Sequence, residues 1–388
     1  MSGTFVIAQG GGPTAVINQT LAGALTAIRG RHPGIRILGS RHGVRGLRDG
    51  DLVDLADLSE SDLARLARTP GAALGSTRDK PDARYCELVL KGLRAAGADA
   101  FIYIGGNDTA ETQRIISEAC GGAVACVHAP KTIDNDLVEN DHTPGFITAA
   151  EFVAGAFAGA DLDFRSLPGV YVGIVMGRHA GFLTAASAAW RMDLEGAPHL
   201  VYVPERAFDR KRFVESVRAV LSRRKRCIVA MSEGVSDKEG RSLVEGLVAP
   251  ELLERDPHGN VRLSGTDLGQ AVERILAEDL PNVRARVDTF GYLPRCHAGI
   301  CNETDRSEAF DAGAFAVQAA EEGSFSVALQ YDGKVTRPVA VSLSAVAGKT
   351  RHMPEDFLLP DEDQISEACA AYLSRLLPGK PAFLPPFA

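Results

Sequence analysis

The residues with the clearest chemical potential are Lys131, Asp134 and Asp136 in the run Ala129-Pro130-Lys131-Thr132-Ile133-Asp134-Asn135-Asp136. Asp108 stands a little upstream in Ile104-Gly105-Gly106-Asn107-Asp108-Thr109. Each run follows an apolar stretch that reads as a parallel strand, so both carboxylate-bearing loops leave strand ends. In open α/β sheets that edge is where ligands bind. A lysine among acids, next to glycines, points to metal-assisted phosphate chemistry. Asp134 is placed to act as a general base, while Asn107, Asp108 and Asp136 can serve Mg²⁺ directly or through water. Two acids so close together raise each other's proton affinity unless a cation compensates them.

Other loops offer complementary groups. Gln9-Gly10-Gly11-Gly12-Pro13-Thr14 follows a short strand and precedes helical spacing at Ile17, Leu21, Leu25 and Ile28. Strand, glycine loop and helix is an arrangement that cradles an anion on backbone N–H groups. No Gly-Lys-Ser/Thr closes it, so it is not a P-loop, and a tight turn without a ligand is an equal reading. Pro70 to Arg78 is a glycine-containing loop ending in Ser76, Thr77 and Arg78. Arg178, Arg286 and Arg295 can form an anion pocket, and Glu233 can accept hydroxyl hydrogen bonds. Phosphoryl transfer needs these parts: cations, metal carboxylates and one base. His42, His128, His142 and His179 are expected in ordinary loop or packing roles.

The elements that position these loops alternate between short apolar strands and helices. Strands are expected at residues 4–8, 35–38, 101–104 and 124–127, then at 170–175, 200–203, 227–231, 283–288 and 327–330. Helices are expected at 61–68, 85–95, 148–160, 213–223, 265–276, 309–321 and 364–376, with a turn at Asp256–Asn260. Such alternation predicts parallel, doubly wound sheets, in two α/β lobes facing one cleft. The basic run Arg223–Arg226 reads as a solvated helix end.

Composition sets the limits. The chain has 388 residues, more than one core usually organises, so two domains are expected. A formal net charge of −8 argues against a nucleic-acid surface, though not against a locally basic site. The cysteines, seven in all, are scattered without metal-ligand spacing and read as reduced thiols. No signal peptide or membrane span is legible, and a soluble, cytoplasmic protein is the expectation.

Taken together, Pro130–Asp136, Gly105–Thr109, Met176-Gly177-Arg178-His179-Ala180-Gly181, Ser232-Glu233-Gly234, Gly291-Tyr292-Leu293-Pro294-Arg295 and Met353–Phe357 resemble the signatures of the phosphofructokinase family, in order and spacing. The resemblance covers essentially the whole chain. It implies two Rossmann-like three-layer lobes with mostly parallel sheets: residues 1–145 with about 299–345 for the phosphoryl donor, and 146–298 with about 346–388 for the sugar phosphate. It further implies an enzyme requiring Mg²⁺ and acting as a homodimer or homotetramer. By resemblance Asp134 removes the proton from the sugar 1-hydroxyl, while Thr132 and Asp136 stand beside the transferred phosphoryl. Met176, Gly177, Arg178, Glu233, Arg286, Tyr292 and Arg295 line the sugar-phosphate pocket. Gly11, Gly12, Arg78, Gly106, Asp108 and Lys131 face the donor.

Members resembling this chain that use ATP carry Gly at the positions of Asp108 and Lys131. Asp and Lys there are typical of members using inorganic pyrophosphate. An aspartate would repel an ATP α-phosphate, whereas a lysine can hold a pyrophosphate phosphate. The resemblance therefore implies transfer from pyrophosphate to fructose 6-phosphate. The alternatives are ATP as donor, another acceptor such as sedoheptulose 7-phosphate, and a non-catalytic sugar-phosphate sensor. The chain departs from the family pattern at Asn107, often Asp, at Gly12, acidic in ATP-using relatives, at Gly169, where a basic residue is common, and at Ile174, often acidic.

Overall fold

The computed structural model describes residues 3–191, 196–243, 245, 265–360 and 363–382. The turn expected at Asp256–Asn260 lies outside the described residues. In chain order the first elements are β1 (Thr4–Gln9), α1 (Ile17–Arg31), β2 (Arg36–Ser40), α2 (Val44–Asp49), β3 (Leu52–Asp54) and α3 (Glu60–Ala67). Then come α4 (Ala83–Ala95), β4 (Ala98–Gly105), α5 (Asn107–Cys120), β5 (Ala125–Pro130) and α6 (Phe146–Ser166). Next are β6 (Gly169–Val175), α7 (Phe182–Ala186), β7 (Leu200–Tyr202), α8 (Arg210–Arg224), β8 (Arg226–Ser232), α9 (Gly265–Asp279) and β9 (Ala285–Thr289). The chain ends with α10 (Glu303–Glu322), β10 (Phe325–Tyr331), β11 (Thr336–Val341), α11 (Leu343–Val346) and α12 (Glu367–Leu376). They fall into two compact units, Met1–Thr148 with Arg295–Arg351, and Ala149–Pro294 with His352–Ala388.

The first unit is built on a seven-stranded sheet in the order β11-β10-β5-β4-β1-β2-β3. It is parallel except at its edges, where β3 runs against β2 and β11 against β10. Neither edge strand is legible as a separate element in the sequence, because each is short or half-exposed. Along β1, Phe5 and Ile7 join the core under α1 and α10, while Val6 and Ala8 join the opposite core with α2, α4 and α5. Strand alternation thus makes a three-layer unit. Successive connections run from β1 to β2 on one side and from β4 to β5 on the other, so the order reverses between β1 and β4. The loops at Gly10–Gly12 and Gly106–Asn107 leave the sheet at this switch point, where ligands bind in open α/β folds.

α1 and α10 pack backbone to backbone. A Cβ added at Gly23 would collide with the Phe310 carbonyl oxygen, and one at Gly313 with that of Thr20. Neither obstacle is a flexible side chain. Gly313→Ala is therefore expected to destabilise the protein by about 3 kcal/mol, read as a fall in the thermal unfolding midpoint.

Among the described residues the second unit has a four-stranded parallel sheet, β7-β8-β6-β9. Its core gathers Val172, Ile174, Phe213, Val229, Met231 and Ile275. Element ends follow local chemistry. α10 starts at Glu303 rather than near Ala309, because Asn302 accepts hydrogen bonds from Thr304 N and Asp305 N at 2.9 and 3.3 Å. α12 starts at Glu367 rather than Gln364, because Ser366 caps it. The expectation of a solvated Arg223–Arg226 run needs correction at its last member. Lys225 ends α8 in the left-handed conformation, and Arg226 opens β8 with Nε 2.9 Å from the buried Asp161 carboxylate.

Candidate active site

The glycine loop after β1 is fixed by a buried amide pair. Gln9 Nε2 donates to Asn18 Oδ1 at 3.0 Å, and Gln9 Oε1 accepts from Leu74 N at 2.9 Å. Asn18 Oδ1 also accepts from Ala73 N at 2.9 Å. Both amides are buried, and together they latch the Pro70–Arg78 loop onto the glycine loop. Gly11, left-handed at φ 72°, then donates to Thr77 O at 3.0 Å, and Ser76 Oγ donates to Gly11 O at 2.6 Å. Neither Gln9 nor Asn18 is assigned a role from the sequence. Their signal is an amide at each flank of a glycine turn, on the last strand position and in the first helical turn.

β4 delivers the second loop. Gly105 has no room for a Cβ because Thr109 Oγ1 stands against it, and Gly106 caps α5 without a side chain. The first N–H groups of α5, on Asn107, Asp108 and Thr109, have no intrahelical acceptor and form a positive helix end. Asn107 Nδ2 donates to Asp136 Oδ2 at 2.7 Å, which joins this loop to the next. Its Oδ1 is buried with no hydrogen-bond partner among the described residues. Asp108 is set apart from that group. Its side chain is 70% exposed and pairs with Lys80 Nζ at 3.0 Å.

β5 carries Lys131 into the centre. Its backbone N–H donates to Gly105 O at 3.0 Å, and its Nζ donates to Gly12 O at 2.6 Å. Lys131 is only 3% exposed. Burial, then the neighbouring Arg295 and Arg78, bring its ammonium down to about 8 against the pull of Asp134 and Asp136. Arg295 belongs to the first unit and lies over the glycine loop, where a Cβ on Gly12 would stand 2.9 Å from its Cζ. The sequence expectation had placed it with the sugar pocket.

Thr132 is gripped from behind. Its N–H donates to Pro144 O at 3.2 Å, its carbonyl accepts from Thr143 Oγ1 at 2.9 Å, and it bridges Gly145. Its own Oγ1 accepts from Asp134 N at 3.1 Å, which turns the loop, and Asn135 takes the left-handed conformation at φ 58°. Burial and the adjacent Asp134 push the Asp136 carboxyl up to about 7, opposed by Thr132 and Lys131. The loop therefore holds two half-buried carboxylates, and the charge of Asp134 adds to the proton affinity of Asp136.

The first unit thus brings together Gly11, Gly12, Gly106, Asn107, Lys131, Thr132, Asp134, Asp136 and Arg295, with Arg78 close enough to act on Lys131. Cations surround a glycine loop, and paired acids stand beside them. Such a site binds a polyanion and can remove a proton from a neighbouring hydroxyl.

Among the described residues no group of three or more His, Cys, Asp or Glu could enclose a metal ion. Mg²⁺ does not need such a cage, since it takes one or two protein oxygens and fills its shell with phosphate oxygens and water. The partnerless Asn107 Oδ1 and the adjacent Asp136 carboxylate fit that requirement. Asp108, engaged with Lys80, does not converge with them.

In the second unit, Met176, Gly177 and Arg178 follow β6, and Glu233 follows β8. Ser232 Oγ donates to Gly177 O at 2.6 Å and accepts from Gly234 N at 3.0 Å, and a Cβ on Gly234 would strike the Arg178 carbonyl. These loops are seated on each other. Arg286 lies on edge strand β9 opposite Tyr171, near the start of β6, and its exposed guanidinium donates to Ala285 O at 2.8 Å. The register keeps it away from the Met176–Arg178 loop at the other end of β6. Tyr292, after β9, is 71% exposed.

The chain is similar to known proteins along almost its whole length. The family model described as phosphofructokinase matches residues 4–320. A pyrophosphate–fructose 6-phosphate 1-phosphotransferase of Rhodospirillum rubrum is 47% identical over 382 residues, covering 97% of this chain and 94% of that protein. One of the same name from Xanthomonas campestris is 34% identical, covering 98% and 92%. Among solved structures, the pyrophosphate-dependent phosphofructokinase of Marinobacter aquaeolei superposes with a TM-score of 0.85 at 28% identity, covering 100% of this chain and 94% of that one. The chain belongs to the phosphofructokinase family.

Proposed function

We infer that this protein transfers a phosphoryl group from inorganic pyrophosphate to the 1-hydroxyl of fructose 6-phosphate, giving fructose 1,6-bisphosphate and phosphate. The observation that carries the reading is the seat of Lys131: a buried ammonium under the glycine loop, beside Arg295 and Arg78. Concentrated positive charge in a small buried space suits a compact polyanion. Two relatives that match almost the whole chain carry names with this reaction.

In this reading Lys131, Arg295, Arg78, the Gly11–Gly12 backbone and the N-terminus of α5 hold pyrophosphate. Asp134 takes the proton from the sugar hydroxyl. The hydroxyl oxygen bonds to the transferred phosphorus as the bridging P–O bond breaks, and phosphate leaves. Thr132, fixed by Thr143 and Pro144, orients the loop, and Asn107 with Asp136 would hold Mg²⁺. The ion, when bound, draws charge from the phosphate oxygens. Met176, Gly177, Arg178, Glu233 and Tyr292 are assigned to the sugar phosphate, while Arg286, which the β9 register holds away from the Met176–Arg178 loop, is left out. An anhydride and an ester phosphate are comparable in energy, so the transfer is expected to run in both directions.

The test is turnover of purified protein with pyrophosphate or ATP against fructose 6-phosphate or sedoheptulose 7-phosphate. Activity with ATP and none with pyrophosphate would sink the donor assignment. A sharper check uses Gly12→Ala. The added methyl forces the Arg295 guanidinium, the end of a flexible side chain, to move. Stability should change little, while kcat/KM for pyrophosphate falls about tenfold or more, because a displaced clamp costs rate out of proportion to its energy.

A further inference from the structure

We propose that His142 is a positioning residue for phosphoryl transfer: as an imidazolium held between Asp141 and Glu308, it keeps the Asp141–Gly145 segment against Thr132. The proposal rests on the reading of Pro130–Asp136 as the transfer loop. His142 Nδ1 is 2.7 Å from Asp141 Oδ2 and Nε2 is 2.6 Å from Glu308 Oε2, with the ring fully buried. A neutral imidazole has a single N–H, so one of these contacts would set a lone pair against a carboxylate oxygen. The cation alone donates to both.

The consequence reaches the transfer loop through the next residues. Thr143 Oγ1 donates to Thr132 O, and Pro144 O accepts from Thr132 N. Gly145, which bridges Thr132, donates to Asp305 Oδ1 at 2.8 Å. Glu308 and Asp305 both lie on α10, so that helix braces the segment at two points. Asp141 N donates to Leu329 O of β10 at 2.8 Å, and an Arg351 guanidinium N–H donates to Asp141 O at 2.6 Å.

The charged groups facing the ring are thus Asp141 on its own loop, Glu308 and Asp305 on α10, and Arg351 behind Asp141. Burial opposes the imidazolium, but Asp141 and Glu308 outweigh it and raise the ring to about 8. The sign follows: the clamp is complete below the ordinary histidine range and is lost as pH rises through about 8.

The experiment compares pH profiles of kcat at saturating pyrophosphate for the natural protein, Glu308→Gln and His142→Gln. Saturation keeps Lys131 paired with the donor, so its titration stays out of kcat. The natural protein should lose kcat on the alkaline side with a midpoint near that of the ring. Glu308→Gln should move the limb about one pH unit toward acid, having removed one stabilising carboxylate. His142→Gln should remove the limb and lower kcat about tenfold at neutral pH, with KM for pyrophosphate within about twofold. An alkaline limb identical in all three proteins overturns the proposal. Should the variants fail to fold, ¹⁵N-histidine NMR of the natural protein decides it, and a His142 ring that is neutral at pH 7 overturns the proposal. Absence of transfer at every pH would defeat the functional reading instead, while the ring titration still reports the charge.

Discussion

Asp134→Asn is expected to lower kcat by about 1,000-fold, within the range that a positioned general base supplies, with KM for both substrates nearly unchanged. The substitution keeps shape. Asp134 N would still donate to Thr132 Oγ1, and Asn135 would still turn the chain. What disappears is the proposed acceptor for the sugar hydroxyl proton. A group used only as the reaction proceeds affects kcat and kcat/KM equally. Residual turnover should persist, because Lys131, Arg295 and the α5 N-terminus still stabilise phosphate charge. Loss of Asp134 also removes the like charge that raises Asp136, so binding in the loop should not weaken. The measurement is initial rate against each substrate in a coupled assay. A kcat within threefold of the natural protein would remove Asp134 from the role of base.

How far the sequence revealed this site depends on the kind of fact. Strand-end loops are local, so Gly11, Asn107 and Lys131 were legible from glycines and acids following apolar runs. Their convergence is also predictable in kind, since parallel strands deliver their loops to one edge. The partner of a charge is not local. Asp108 read as a member of the Lys131 group, yet its carboxylate meets Lys80. Arg226 read as solvated, yet it pairs with Asp161, far away in the chain. Arg295 read as a sugar-pocket residue from its motif, and only the fold sets it over Gly12. His142 read as an ordinary loop histidine, because its second carboxylate arrives from α10. Edge strands β3 and β11 escaped for another reason: half-exposed strands lack the apolar run that marks a central one.

The comparison of stability with activity is most informative at Lys131. Lys131→Met preserves the length of the side chain and removes its charge. In the free protein that charge is unfavourably placed, since burial, Arg295 and Arg78 all disfavour it. Methionine forfeits the hydrogen bond to Gly12 O but relieves the buried ammonium, so the thermal midpoint should hold or rise. Activity should move the other way, with kcat/KM for pyrophosphate falling about 100-fold, the equivalent of one or two charge-assisted hydrogen bonds. The pH dependence provides the control. A lysine lowered to about 8 is charged and able to bind an anion below that pH, so kcat/KM should fall about tenfold per unit above it. Lys131→Met should lose that dependence and keep only the alkaline limb that His142 sets in kcat. If instead the variant lost stability and kept its pyrophosphate specificity constant, Lys131 would be a packing residue and the donor would be held by Arg295, Arg78 and the helix end alone.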